Sequence, residues 1–148
     1  MKNQFLRHTL ATIKYRFDKS VKDSKENFGA FNLGNGSRSP IEIINHMYHV
    51  LNSTRIFMEE ERFKNEQPEK LTLSQEIERF NRELIKTDDT LDVNELPMNY
   101  SKRLLQGPFS DILTHIGQIA MMQRLNDRPI DWEDFSTAAI KTGMNSHI

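Results

Sequence analysis

Apolar residues recur at helical spacing over most of this chain, and that periodicity constrains the fold more than any other feature. Between Gln4 and about Lys25, Leu6, Leu10, Ile13, Phe17 and Val21 follow at intervals of four, three, four and four residues, which is one stripe of an α-helix. The stretch NFGAFNLGNGSRSP then carries three glycines and no periodicity, and reads as a loop. A second helix opens sharply at SPIE: Ser39 is placed to cap it, Pro40 suits its first position, and Glu42 stands where a capping box takes an acid. It is expected to run to about Glu61. After the break at KNEQPEK, Thr72 leads a third helix with Leu73, Ile77, Phe80, Leu84 and Leu91 on one stripe and Gln75 at the capping-box position. A short helical piece, YSKRLLQ, is expected to end at Gly107 and Pro108. Pro108 is then expected to open a fourth long helix, running to about Asn126, where NDRP stops it. The tail IDWEDFSTAAIKTG has room for a short helix with Trp132 and Phe135 packed back. Four amphipathic helices without strand-like alternation or repeats predict an all-α fold. The expected form is a four-helix bundle in one domain, 1–148, with a long loop between helices 1 and 2 and a short C-terminal extension.

Charge and composition exclude several function classes. The formal net charge is −1 with 28% charged residues, so no basic bias points to nucleic acid or to an anionic membrane. No apolar run approaches the roughly 18 residues of a membrane span, and MKNQFLRHTL lacks the apolar core of a signal peptide. A cytoplasmic location is the expectation. With no cysteine, there is no disulfide framework, thiolate metal site or cysteine nucleophile.

Placing residues at about 100° per step compares the helix faces. In the second helix Ile43, Ile44, Met47, Val50, Leu51, Phe57 and Met58 set the core arc. His46 lies at its edge, able to reach an interior, whereas His49 lies about 60° further out, toward Asn45 and Asn52. In the fourth helix Asp111, His115, Gln118 and Met122 form a narrow stripe between an apolar arc and a solvent side marked by Ser110, Gly117 and Arg124. Asp111 and His115, at i and i+4, can reach a single ion. The same spacing also suits an acid favoured by the helix N-terminus and paired with a histidine one turn on. His46 alone reads as a hydrogen-bonded border histidine rather than a ligand. His8 and His147 read as surface and tail residues, and the Met121–Met122 pair as gap-filling core.

The chain resembles the DinB-like (DNA-damage-inducible) superfamily of metal-binding helical bundles. The resemblance lies in the SPIEIINH opening of helix two, after a Gly-rich loop, and in GPFSDILTHIGQIAMMQRLNDRPI. Its most specific part is HIGQIAMMQRL followed by RP, and it covers most of the chain. The family supplies three histidines, one from helix two and two as an H-x-x-x-H pair ahead of GQ. Here Asp111 replaces the first of that pair, as in a branch reading GP-x-x-D-x-x-x-H-x-GQ. The implied metal ligands are therefore His46, Asp111 and His115. Two imidazoles and a carboxylate suit a divalent transition ion, with zinc the default and nickel or iron open. Gln118 is a candidate to orient a ligand or a bound water, or else a helix-packing amide. Glu42 is explained by its capping box, with a catalytic base role the alternative.

The resemblance implies an enzyme acting on a small molecule. Some members are thiol transferases or isomerases in which the metal activates a low-molecular-weight thiol such as bacillithiol, mycothiol or glutathione. Others are metal-dependent hydrolases in which the metal acidifies water. A thiol-dependent S-transferase is the leading expectation, ahead of a hydrolase and of a non-enzymatic metal-binding or dimerising bundle. The loop Asn27–Ser39 is the candidate lid. Arg38 within it could meet an anionic substrate or simply be solvated. Ile130, Trp132, Phe135 and Ile140 could serve a homodimer interface.

Overall fold

The computed structural model describes residues 1–63 and 66–143, so His147 lies outside the described residues. Regular structure among them is helical, with no strand. Helix α1 spans Gln4–Val21, α2 Pro40–Glu60, α3 Leu73–Val93, α4 Met98–Leu104 and α5 Ser110–Leu125, with short 3-10 turns at Glu26–Ala30 and Phe135–Thr137. No described helix is long and apolar enough to cross a membrane.

Both expected capping boxes form. Ser39 Oγ accepts the Glu42 N–H at 3.3 Å while Glu42 Oε1 accepts the Ser39 N–H at 3.1 Å. Thr72 and Gln75 repeat the exchange at the start of α3. Each box satisfies two backbone donors that a helix start leaves over, a stabilisation of about 1 kcal/mol. Helix α1 stops at Val21 rather than near Lys25, because the chain turns away at Asp23, whose φ of 57° is left-handed.

Gly107 and Pro108 do not end a helix. A π-helical turn at Leu105–Phe109 carries the chain from α4 directly into α5. The Ser110 N–H reaches the Leu105 carbonyl five residues back, and Ser110 Oγ donates to the same oxygen at 2.5 Å. The extra residue in the turn accommodates a proline that has no N–H to give. It also keeps Leu104 and Phe109, five apart, together in the core.

Contacts between helices fix their directions. Asn45 bonds Glu76, Asn52 bonds Glu83 and Glu59 bonds Thr90, each pair seven residues beyond the last, so α2 and α3 run parallel. Arg7 pairs with Asp88 and Lys14 with Asn81, so α1 is antiparallel to α3. Helix α5 packs on α1 and α2. The shared core is led by Phe17 and Phe80, edge to face at 4.7 Å, with Leu10, Ile44, Met47 and Ile112 fully buried. Asn45 and Asn52, expected toward the outside, are buried against α3, where Glu76 and Glu83 give them partners.

The tail straps back along α1. Glu133 accepts from Tyr15 Oη and Lys19 Nζ, and Phe135 stands edge-on to Tyr15 beneath Arg16. Trp132 does not pack back; it is 88% exposed. Its neighbour Glu133 makes the docking contacts instead.

The expected lid is partly anchored. The Glu26 carboxylate accepts the Leu73 N–H at 2.7 Å and the Ser74 N–H at 3.3 Å, holding the 3-10 turn to the start of α3. Gly29 sits so close to Ile41 that a Cβ there would meet its side chain at 2.6 Å. Residues 34–36 all have positive φ, and Ser37 Oγ closes the turn onto the Gly34 carbonyl at 2.7 Å.

Candidate metal centre

His46 projects from α2 toward α5, where Asp111 and His115 lie one turn apart. The Asp111 carboxylate straddles the two rings: Oδ2 lies 3.3 Å from His46 Nε2 and Oδ1 lies 3.4 Å from His115 Nε2. The rings stand edge to face with centroids 4.9 Å apart. One ligand atom from each residue falls within 4.8 Å of the others. The continuous α4–α5 run places Asp111 well inside a helical stretch. The helix-dipole account of an acid at that position, which needs a free helix start, therefore loses its basis.

Two features test whether a divalent ion fits. Tetrahedral bonds of about 2.0–2.1 Å set neighbouring ligand atoms about 3.3–3.4 Å apart; each imidazole lies that far from one oxygen of the carboxylate, His46 from Oδ2 and His115 from Oδ1. These separations are long for charge-assisted hydrogen bonds, which run about 2.7–2.9 Å. Gln118 Oε1 also lies 2.8 Å from His115 Nδ1. With the proton on Nδ1 donated to that oxygen, Nε2 presents a bare lone pair to a carboxylate oxygen. Two acceptors face each other, and a cation between them, or a second proton on the ring, resolves the opposition. Gln118 thus occupies the outer position that fixes the tautomer of a metal-bound histidine. The donor set fits a divalent transition ion.

Burial, the Arg38 charge and the adjacent His115 hold the His46 pKa below its ordinary 6.5, against the opposing pull of Asp111. The neutral, ligating form is therefore favoured. For the chelator-treated protein this stabilisation is full above about pH 6.5 and is lost as pH falls from there through the lower folded value. The difference in Tm between wild type and His46→Gln, followed from pH 8 to pH 5, is expected to shift against wild type across that window. A pH-independent difference would refute the assignment.

Two concavities flank the triad and meet at Thr114. One, of about 790 Å³, contains His115 and Gln118 beside Leu33, Arg38, Ile43 and Met121. The other borders Asp111 with Val50, Thr54 and Pro108. Met121 is 56% exposed at the first opening, so only Met122 of the methionine pair serves the core. Glu42 is held in its capping box, where the Ser39 N–H keeps its carboxyl below the usual range. His8 is exposed and bonds Thr142. His49, half-buried with Nδ1 lacking a hydrogen-bond partner, is not part of the triad. Arg38 is the neighbour whose effect on the site the sequence signalled only weakly, through its place in the Gly-rich loop. Comparison with protein-family models, with curated proteins and with solved structures finds no match.

Proposed function

We propose that this protein is a metal-dependent thiol transferase built as a DinB-like four-helix bundle, with a divalent ion, zinc first, held by His46, Asp111 and His115. The observation that carries the reading is the convergence of two imidazoles and a carboxylate, one ligand atom of each within 4.8 Å of the others, with the outer nitrogen of His115 beside Gln118. The pairwise packing of α1, α2, α3 and α5, and the α1–α2 connection beside the site, support the bundle. When bound, such an ion lowers the pKa of a thiol presented to it. The protein's own groups do the rest. Asp111 cancels one unit of positive charge, leaving a net +1 that favours an anionic sulfur. Leu33, Ile43 and Met121 offer an apolar wall to the organic part of a small substrate. The chain contributes no cysteine, so the nucleophilic sulfur belongs to the substrate. Hydrolysis is the second reading, favoured by the 45% exposure of the Asp111 side chain, which leaves the site open to water.

Metal analysis after mild, chelator-free purification, and again after refilling with zinc or nickel, is expected to find about one ion per chain. A panel of low-molecular-weight thiols with an electrophilic reporter is expected to react faster than a water-only control. No stoichiometric metal in either preparation overturns the reading. Metal with turnover in water alone replaces transferase by hydrolase, and metal without turnover leaves a non-enzymatic metal protein.

A further inference from the structure

We propose that Arg38 anchors a carboxylate carried by the thiol itself, so that the substrate class is a mercapto-carboxylate bridging Arg38 and the His46–Asp111–His115 site. This rests on the metal reading above.

Arg38 is the last residue before the α2 cap, and its backbone is set from both sides: Ser37 closes the turn onto Gly34, and Ser39 sits in the capping box. Its side chain is exposed and makes no hydrogen bond or ion pair with the described residues. It lines the same opening as His115, whose other walls near it are Leu33, Ile43, Thr114 and Met121. No carboxylate lines that opening.

Charge balance then selects the ligand. A divalent ion with one carboxylate carries +1, and Arg38 adds another unit, giving +2 around an opening with no acid to offset it. A thiolate alone leaves the guanidinium unmatched. A thiolate with a carboxylate a few bonds away brings the sum to zero, and the planar carboxylate matches the two-pronged guanidinium. The apolar wall faces the carbon chain between the two charges.

The zinc-reconstituted full-length protein is titrated calorimetrically with 3-mercaptopropionate, 3-mercapto-1-propanol and propionate, alongside the variants Arg38→Gln and Arg38→Lys. Wild type is expected to bind 3-mercaptopropionate about tenfold more tightly than 3-mercapto-1-propanol, in line with one charge-assisted pair. Arg38→Gln should abolish that preference while keeping zinc stoichiometry and affinity for the neutral thiol, and Arg38→Lys should retain part of it. A preference that survives Arg38→Gln, or its absence in wild type with zinc stoichiometric, overturns this inference alone. Propionate binding as tightly as 3-mercaptopropionate overturns its thiol half. Failure to retain zinc instead overturns the metal reading beneath it.

Discussion

Replacing His115 by alanine is expected to abolish stoichiometric zinc binding, with an affinity loss well beyond the roughly 10–100-fold typical of removing an outer-shell partner. Gln118→Ala should fall within that smaller range, because it releases the His115 tautomer without deleting a ligand. Asp111→Asn separates charge from shape: the amide can still occupy the space, but the carboxylate that faces both rings is gone. A second readout is thermal. Zinc at a hundred times its Kd stabilises a folded binder by about 2.7 kcal/mol. For a chain of this size that is roughly 5–10 °C in Tm. Wild type should show the rise, Gln118→Ala part of it and His115→Ala none. His115 lies at the edge of the core, so chelator-treated His115→Ala should keep its helical circular dichroism and separate lost metal from lost fold. Wild-type zinc affinity in His115→Ala would remove the triad from consideration.

Features set by neighbours in sequence were legible before the fold was known. Ser39, Pro40 and Glu42 announce a helix start because capping geometry is decided within four residues, and the structure forms that cap. Asp111 and His115 share a face for the same local reason. Their meeting with His46 depends on α2 and α5 lying side by side, which periodicity alone does not state; the family resemblance supplied that link. Gly107–Pro108 misleads because local rules treat the pair as a stop. Burial of Leu104 and Phe109 instead draws the chain through a π-helical turn. Asn45 and Asn52 mislead because amides usually face water, whereas Glu76 and Glu83 wait for them on α3. A buried polar pair is invisible until both halves are placed.

That polar seam underlies the second large effect. Glu83→Ala is expected to destabilise the protein by about 3–5 kcal/mol, the cost of breaking a buried ion pair by removing one partner. Glu83 is 2% exposed at its side chain and accepts Asn52 Nδ2 at 2.6 Å and Arg55 Nε at 3.0 Å on both oxygens. Its removal takes an acceptor from Asn52 and the buried counter-charge from Arg55, which keeps only the more exposed Glu59. Thermal or urea unfolding should show a Tm lower by roughly 10 °C or more. The triple replacement Asn52→Leu, Arg55→Leu and Glu83→Leu is expected to recover much of the loss, since apolar groups of similar size need no partners. A cost for Glu83→Ala below about 1 kcal/mol would put the group among ordinary surface ion pairs. The seam also bears on the metal site. Its three contacts, seven residues apart, hold α2 in one axial register against α3, and a slip of one turn would carry His46 about 5.4 Å along the helix. That displacement exceeds the 3.3 Å between His46 and Asp111. Asn45–Glu76 and Glu59–Thr90 persist in the triple-leucine protein and hold that register, so it is expected to regain stability with zinc affinity equal to wild type; regained stability with zinc affinity lost would show that the central contact alone sets the register.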